Sequence, residues 1–185
     1  MSPEPADQGS VDPIAFEEAA RARLSRVSED VDLEVMSMVF DMIRVVNRFL
    51  HDFDQHVYRP MGLSWAGFRV LFCLWVQPGS SSARLAVLSG VSRATVSSVL
   101  NTLERDGLVS RHRRSQDRRV VTVTLTGAGE RMVREAFLRQ HAREREWLSK
   151  LSGDQILETI EVLRDLLSRP APQDPHSSLR HDDVS

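Results

Sequence analysis

SRATVSSVLNTLERDGLVSRHRRSQDRRVVTVTLT, residues 92–126, predicts a helix followed by a basic β-hairpin. Ser92 is a favourable N-cap, and Gly107 is typical of the position just beyond a helix. Between them, aliphatic side chains recur at helical spacing and form one apolar face: Val96, Val99, Leu100 and Leu103. The opposite face has the short or hydrogen-bonding side chains that let a helix enter a DNA major groove: Arg93, Ala94, Ser97, Ser98 and Asn101.

The second half of this stretch has the pattern of two short strands. Residues 109–111 and 120–125 alternate between apolar and polar side chains, as half-buried strands do. In the second segment the apolar side is formed by Val121, Val123 and Leu125. The intervening RHRRSQDRR, residues 111–119, is rich in arginine and poor in apolar side chains, so it is unsuited to a protein core. We therefore predict an exposed, basic hairpin.

The residues just upstream complete a helix-turn-helix pattern. In SSARLAVLSGVS, residues 81–92, an apolar stripe of Leu85, Ala86 and Leu88 precedes Gly90. A short helix, a glycine turn and a second helix with a polar outer face form a known DNA-binding unit. The basic hairpin that follows makes the expected unit a winged helix.

The net charge of −2 conceals an uneven distribution of charge along the chain. Residues 84–119 hold eight arginines and three acidic residues, a net charge of +5. Residues 1–34 hold three arginines and nine acidic residues, a net charge of −6. A basic block in a mildly acidic chain favours a nucleic-acid surface, because it coincides with the helix-hairpin pattern. The alternative is an ordinary solvated face.

Enzyme, metal and membrane classes find little support in the sequence. We recognise no glycine-rich phosphate loop, and His51 and His56 lie about 140° apart around a helix, which does not suit a shared metal ion. We therefore expect no enzyme, no metal and no cofactor. The chain lacks an apolar run of about 18 residues, and its acidic N-terminus does not resemble a secretory signal. One cysteine, Cys73, excludes an internal disulfide and suits the cytoplasm.

Capping signals divide the rest of the chain into helices. Asp12 and Pro13 predict a helix to about Val27, and further helices are expected at about 31–57, 64–76, 126–150 and 152–167. The fold class is therefore mainly α, with a winged helix-turn-helix core, a two-stranded wing and flanking helices. The predicted parts are an extension at 1–30, partly disordered, dimerisation helices at 31–58 and 127–168, the DNA-binding domain at 63–126, and a disordered tail at 169–185.

The terminal helices carry more apolar surface than one small domain needs. In a monomer the apolar side chains from Val35 to Phe53 and several near the C-terminus would be exposed: Trp147, Leu148, Ile156, Ile160 and Leu163. A two-fold dimer built from these helices would bury them and place two recognition helices about one DNA turn apart. A helical core within one chain is the alternative.

These motifs together resemble the MarR family of transcriptional regulators, over about residues 33–168. The matching features are GLSWAGFRVLFCLW at 62–75, Leu85-Ala86, SRATVSSVLNTLERDGLV at 92–109, and DRR at 117–119 with the LTGAG turn at 125–129. The resemblance implies that Asp117 braces Arg119 and that Arg119 enters the minor groove. Ser98 is small where many members carry a larger side chain, and the extensions at both ends are absent from short members.

The resemblance, together with the helix and hairpin patterns, yields two sets of candidate residues. The expected DNA contacts are Ser92, Arg93, Ala94, Thr95, Ser97, Ser98, Asn101, Arg111, Arg113, Arg114, Asp117, Arg118 and Arg119. By the resemblance, a ligand pocket lies between the first long helix, the second helix and the wing-side core, with Arg48, His51, Trp65, Phe68, Arg69 and Phe72. Arginine beside aromatic side chains suits an aromatic or apolar carboxylate. Alternatively, these aromatics are core residues and the arginines lie on the surface.

The sequence thus predicts a cytoplasmic, bacterial, sequence-specific regulator. Its expected partners are double-stranded DNA, a second copy of itself and a small aromatic or carboxylate effector, and the expected action is repression relieved by that effector at a pseudo-palindromic operator. An architectural DNA-binding protein without an effector, or an activator, stays open as an alternative. So does a ligand-binding module or enzyme with an incidental hairpin. Some family members sense oxidants through a cysteine, but Cys73 is expected to be a buried, inert thiol.

Overall fold

A computed structural model describes residues 12–27, 30–113 and 121–170. The chain divides into two compact units, residues 1–140 and 141–185. The α-helices are α1 (Pro13–Leu24), α2 (Leu33–Phe53), α3 (Trp65–Val76), α4 (Ser82–Ser89), α5 (Arg93–Arg105), α6 (Gly127–Trp147) and α7 (Gly153–Ser168). The strands are β1 (Ser80–Ser81), β2 (Val109–Arg113) and β3 (Val121–Leu125). The unit boundary falls within α6.

Local capping sets most of the helix ends. The side chains of Asp12, Asp32, Ser64 and Ser92 each accept a hydrogen bond from a backbone N–H in the first turn of the helix that follows. In the second unit, Ser152 and Gln155 form the reciprocal capping box of α7. Helix α1 is shorter than expected, since it ends at Leu24.

The C-terminal end of α2 differs from the single long helix that the sequence predicts. A π-helix, Asp54–Tyr58, and a 3-10 turn, Arg59–Met61, follow α2. The wider turn places Val57 and Tyr58 in the core. Gly62, with a φ of 70°, then reverses the chain.

The sheet has three strands in the order β1-β3-β2, and both pairings are antiparallel. The expected two-stranded wing is formed by β2 and β3, and a third strand joins it, because β1 pairs Ser80 with Val123. A winged helix-turn-helix core flanked by helices is confirmed as the fold. Its buried side chains come mainly from α3, α4, α5, β2, β3 and α6, and Phe53, Val57 and Tyr58 join them from the end of α2 and the π-helix.

Gly129 lets the start of α6 pack against the backbone of Leu108, which lies between α5 and β2. A Cβ added there would lie 1.9 Å from the carbonyl oxygen of Leu108, so only glycine permits this approach. Thr126 reinforces the junction, because its hydroxyl donates to the carbonyl of Gly107 over 2.7 Å and accepts from the Gly129 N–H over 3.1 Å. The LTGAG turn thus fixes the position at which α6 leaves the winged helix.

Candidate nucleic-acid interface and effector cavity

Helix α5 has one buried and one exposed face, in the positions that its sequence predicts. Val96, Leu100 and Leu103 are buried in the core, and Val99 packs against it. At the N-terminus, the Ser92 hydroxyl accepts from the Thr95 N–H over 3.1 Å and lies 2.8 Å from the Thr95 hydroxyl. The side chains expected to meet DNA are all exposed: Ser92, Arg93, Ala94, Thr95, Ser97, Ser98 and Asn101.

The turn before α5 is a left-handed glycine turn. Gly90 has a φ of 60°, and its N–H donates to the carbonyl of Val87. Val91 packs partly against the core, and α4 buries Leu85 and Ala86, as the helix-turn-helix pattern predicts. The guanidinium of Arg69 touches this turn, since a Cβ on Gly90 would lie 2.9 Å from Arg69 Nη2.

The root of the wing is joined to α5 by an arginine. Arg111 Nη2 donates to Asn101 Oδ1 over 2.7 Å, and Arg111 Nη1 lies 3.3 Å from Glu104 Oε2. The guanidinium of Arg111 is therefore engaged with the recognition helix. These three residues line an open groove with Ser82, Ser97 and Val121.

The remaining arginines of the predicted wing contact fall outside what the structure describes. Residues 114–120, which include Arg114, Asp117, Arg118 and Arg119, lie outside the described ranges, and so does the side chain of Arg113. The predicted brace between Asp117 and Arg119 stays a prediction.

A second candidate site is a cavity of about 240 Å³ beside α3. It contains four of the six residues predicted for a ligand: Trp65, Phe68, Arg69 and Phe72. The other lining residues are Cys73, Leu88, Ser89, Phe137 and Gln140. The prediction omitted these five because they come from α4, α6 and the far side of α3, and no local pattern marks them. Arg48 and His51 do not line this cavity, since both lie on the exposed side of α2.

Aromatic rings form the wall of this cavity. The Tyr58 ring stacks on Phe68 with centroids 5.0 Å apart, and Phe72 stacks on Phe137 at 5.7 Å. The fully buried Tyr58 donates its hydroxyl to Gln140 Oε1, which satisfies the phenol inside the core. The charged element is Arg69, whose guanidinium carbon lies 5.4 Å from the Trp65 ring centroid.

Cys73 was expected to be a buried, inert thiol, but it is only half-buried and lies at the edge of this cavity. Burial raises the pKa of the thiol above its ordinary value, and the positive charge of Arg69 opposes that shift. The thiol therefore stays protonated near neutral pH. Among the described residues, no cluster of His, Cys, Asp and Glu side chains is able to hold a metal ion. Within the same part of the chain, no helix is long and apolar enough to cross a membrane.

Comparisons with known proteins agree on one class of protein, the helix-turn-helix transcriptional regulators. A model of the MarR family matches residues 63–121. The HTH-type transcriptional regulator YwaE of Bacillus subtilis is 31% identical over 143 residues, which cover 77% of this chain and 81% of that protein. The HTH-type transcriptional repressor YetL of the same organism is 29% identical over 147 residues, with 72% and 84% covered.

The fold also matches a solved structure of BpsR from Bordetella bronchiseptica, whose DNA binding is regulated by 6-hydroxynicotinic acid. The TM-score is 0.64 and the identity is 24%, with 71% of this chain and 98% of that chain covered. At this identity the likeness concerns the fold alone.

Proposed function

The chain belongs to the MarR family of DNA-binding transcriptional regulators, and from that premise we propose that it is a homodimeric, ligand-responsive repressor of a pseudo-palindromic operator. DNA binding is supported most strongly by the exposed face of α5, because the opposite face of this helix is buried in the core. A rigid helix with small and hydrogen-bonding outer side chains fits a major groove.

Contacts with DNA divide between the recognition helix and the wing. The outer residues of α5 approach base edges and phosphates, while the arginines of the hairpin reach the neighbouring backbone and minor groove. Arg119 would enter the minor groove with Asp117 as its brace. The +5 charge of residues 84–119 supports this division, since two-fold symmetry doubles it over one operator.

A homodimer is supported by the apolar surface that one chain leaves uncovered. On α2 the exposed aliphatic and methionine side chains are Val35, Met38, Val39, Ile43, Val45 and Val46. On α7, taken by itself, no residue is buried although the helix is amphipathic. Such faces mark contact surfaces in soluble proteins, and closed two-fold symmetry is the commonest way to cover them.

The cavity beside α3 supports an aromatic carboxylate as the effector. Rings on several sides accommodate a flat, apolar body, and Arg69 provides the donor pair that a carboxylate accepts. BpsR responds to 6-hydroxynicotinic acid, a molecule of this chemistry.

Arg69 also offers a route from the effector to DNA. Because its guanidinium touches the Gly90 turn, a carboxylate that draws Arg69 into the cavity changes a contact at the base of α5. The effector then favours dimers whose recognition helices do not fit successive major grooves, which is a population shift between two states.

The DNA-binding proposal is tested by a gel shift with a duplex from the region upstream of the coding sequence. We expect a discrete complex whose affinity falls by about three or more orders of magnitude from low to moderate salt. Absence of a complex with any upstream duplex, or binding that is insensitive to salt, contradicts the proposal.

The effector proposal has a separate test. A thermal-shift series with hydroxybenzoic and hydroxynicotinic acids should raise the melting temperature of the protein, and Arg69→Met should abolish the increase. Arg84→Met is the matched control, because Arg84 is an exposed arginine of α4 that does not line the cavity. If no acid shifts the melting temperature while DNA binding is intact, these compounds are not effectors, and an architectural protein becomes the better description.

A further inference from the structure

The amide of Asn101 is held in one orientation by the root of the wing. Its oxygen accepts from Arg111 Nη2 over 2.7 Å, and Glu104, one turn further along α5, holds the other end of the guanidinium at 3.3 Å. The Arg111 side chain is 31% exposed, so solvent only partly screens these contacts. Helix α5 and strand β2 are thereby joined on the face that we assign to DNA.

The chemistry of arginine determines which end of the amide faces outward. A guanidinium has five hydrogen-bond donors and no acceptor, so only Oδ1 of Asn101 is able to pair with it. Asn101 is exposed. Because Oδ1 is turned towards Arg111, the amide directs Nδ2, with its two hydrogens, away from the guanidinium and towards a molecule that docks on α5.

We propose that Asn101 acts on DNA as a hydrogen-bond donor and that Arg111 is the positioning residue that keeps it so. This inference rests on the proposed docking of α5 in the major groove. A free asparagine amide pairs with adenine through one donor and one acceptor, whereas guanine presents two acceptors, N7 and O6. The contact with Arg111 should therefore make Asn101 favour guanine over adenine. A phosphate oxygen is also a hydrogen-bond acceptor, so the experiment must distinguish an acceptor on a base from one on the DNA backbone.

The experiment is an affinity selection from a random-sequence DNA duplex library with the full-length chain, four single variants and the Asn101→Ala and Arg111→Met double variant. Asn101→Ala locates the contact, and Asn101→Asp replaces the outward donor by an acceptor with almost no change of shape. Arg111→Met removes the donors of the positioning residue. Arg105→Met is the charge-matched control, because Arg105 is an exposed arginine of α5 that bonds Asp106 instead. Melting temperatures check that each variant folds.

If the acceptor is a base, the unmodified chain should select guanine at the position where Asn101→Ala loses its preference. Arg111→Met should reduce the guanine-to-adenine ratio there about tenfold, in line with the value of one bidentate base contact. Asn101→Asp should move the preference at the same position towards cytosine, whose N4 is a donor. Arg105→Met should leave this position unchanged.

If the acceptor is a phosphate, Asn101→Ala and Arg111→Met should each weaken binding to all sequences alike and more than Arg105→Met does, and the variant with both changes should lose little more than Asn101→Ala alone. That result keeps the proposal and assigns the acceptor to the backbone. Selection of adenine or cytosine by the unmodified chain at this position overturns it. An Arg111→Met variant that behaves as Arg105→Met does also overturns it. If the unmodified chain enriches no sequence, the proposed operator binding itself fails.

Discussion

Helices α5 and α2 are both amphipathic, but only α5 has its apolar face covered. Val96 and Leu100 on α5 are 0% exposed, whereas Val35 and Ile43 on α2 are 58% and 57% exposed. The side of α2 that faces α1 is different, since α1 contacts it through Phe16 against Phe40. Within one chain, therefore, the winged helix buries its apolar side chains, whereas one face of α2 stays exposed to solvent.

This difference distinguishes the folding of one chain from the association of two chains. The winged helix has its own core, and its outer face suits a polar, charged partner. The exposed side of α2 suits an apolar partner, and a second copy of the chain has an identical surface. If the account is correct, damage to α5 lowers the stability of one chain, whereas damage to α2 separates two chains that stay folded.

The largest effect is expected from charges on the uncovered face. Val39→Asp combined with Ile43→Asp should dissociate the dimer and abolish detectable operator binding, because unpaired charges would be buried in the contact between chains. Sedimentation velocity and a gel shift measure the two outcomes. Glu18→Lys is the control for a change of charge, as Glu18 is exposed on α1 and lies outside the uncovered face of α2. An intact dimer in the double variant would locate the contact elsewhere.

On the covered face, Leu100→Ala should lower the free energy of unfolding by about 2–5 kcal/mol, since it leaves a cavity beneath α5. Denaturant unfolding measures this change. Thr102→Ala, on the exposed side of the same helix, should change stability by less than about 0.5 kcal/mol. Similar losses for the two variants would mean that α5 is not anchored by its apolar face.

The wing should contribute to affinity without contributing to folding. Arg119→Ala should weaken operator binding by about 1–3 kcal/mol, and Asp117→Ala should cost less because it frees the arginine without removing it. In a double-mutant cycle the two losses should be non-additive. Additive losses would assign Asp117 a separate role, and an unchanged melting temperature is the control for folding.

The smallest expected effect concerns the thiol at the cavity. Because burial raises the pKa of Cys73, iodoacetamide at about pH 8 should react with the folded protein several-fold more slowly than with the unfolded chain. The sign follows from the thiolate being the reactive form, whose population falls as the pKa rises. Arg69→Met should slow the reaction further, because it removes the positive charge that opposes the shift. A faster reaction in that variant would contradict the stated cause.

Periodicity and capping explain why the recognition helix was predictable. The positions of Ser92, Val96 and Leu100 define a cap and a face within a few residues, and the structure confirms both. The capping box at Ser152, and Pro78 just after the end of α3 at Val76, are local signals of the same kind. Apolar spacing also identified α2, although Phe53 is buried in the core and does not belong to the exposed surface.

Features that depend on distant residues were missed. Strand β1 consists of two serines, and it is a strand only because Val123 and Thr122 of β3 pair with it. The π-helix after α2 has no local signal, yet it stacks Tyr58 on Phe68, which lines the cavity beside α3. Arg48 and His51 were assigned to the pocket by the family resemblance, but in this chain both side chains are exposed on α2 and do not line the cavity.

Operator binding by a two-fold dimer is tested most directly by the mass of the protein–DNA complex in solution, measured by sedimentation equilibrium with an operator duplex obtained from selection. We expect two chains on each duplex, with the two half-sites centred about one helical turn apart. The Val39→Asp and Ile43→Asp double variant should leave this duplex unbound at the same concentration. A complex that contains one chain per duplex and has the affinity of the unmodified protein would contradict operator binding by a two-fold dimer.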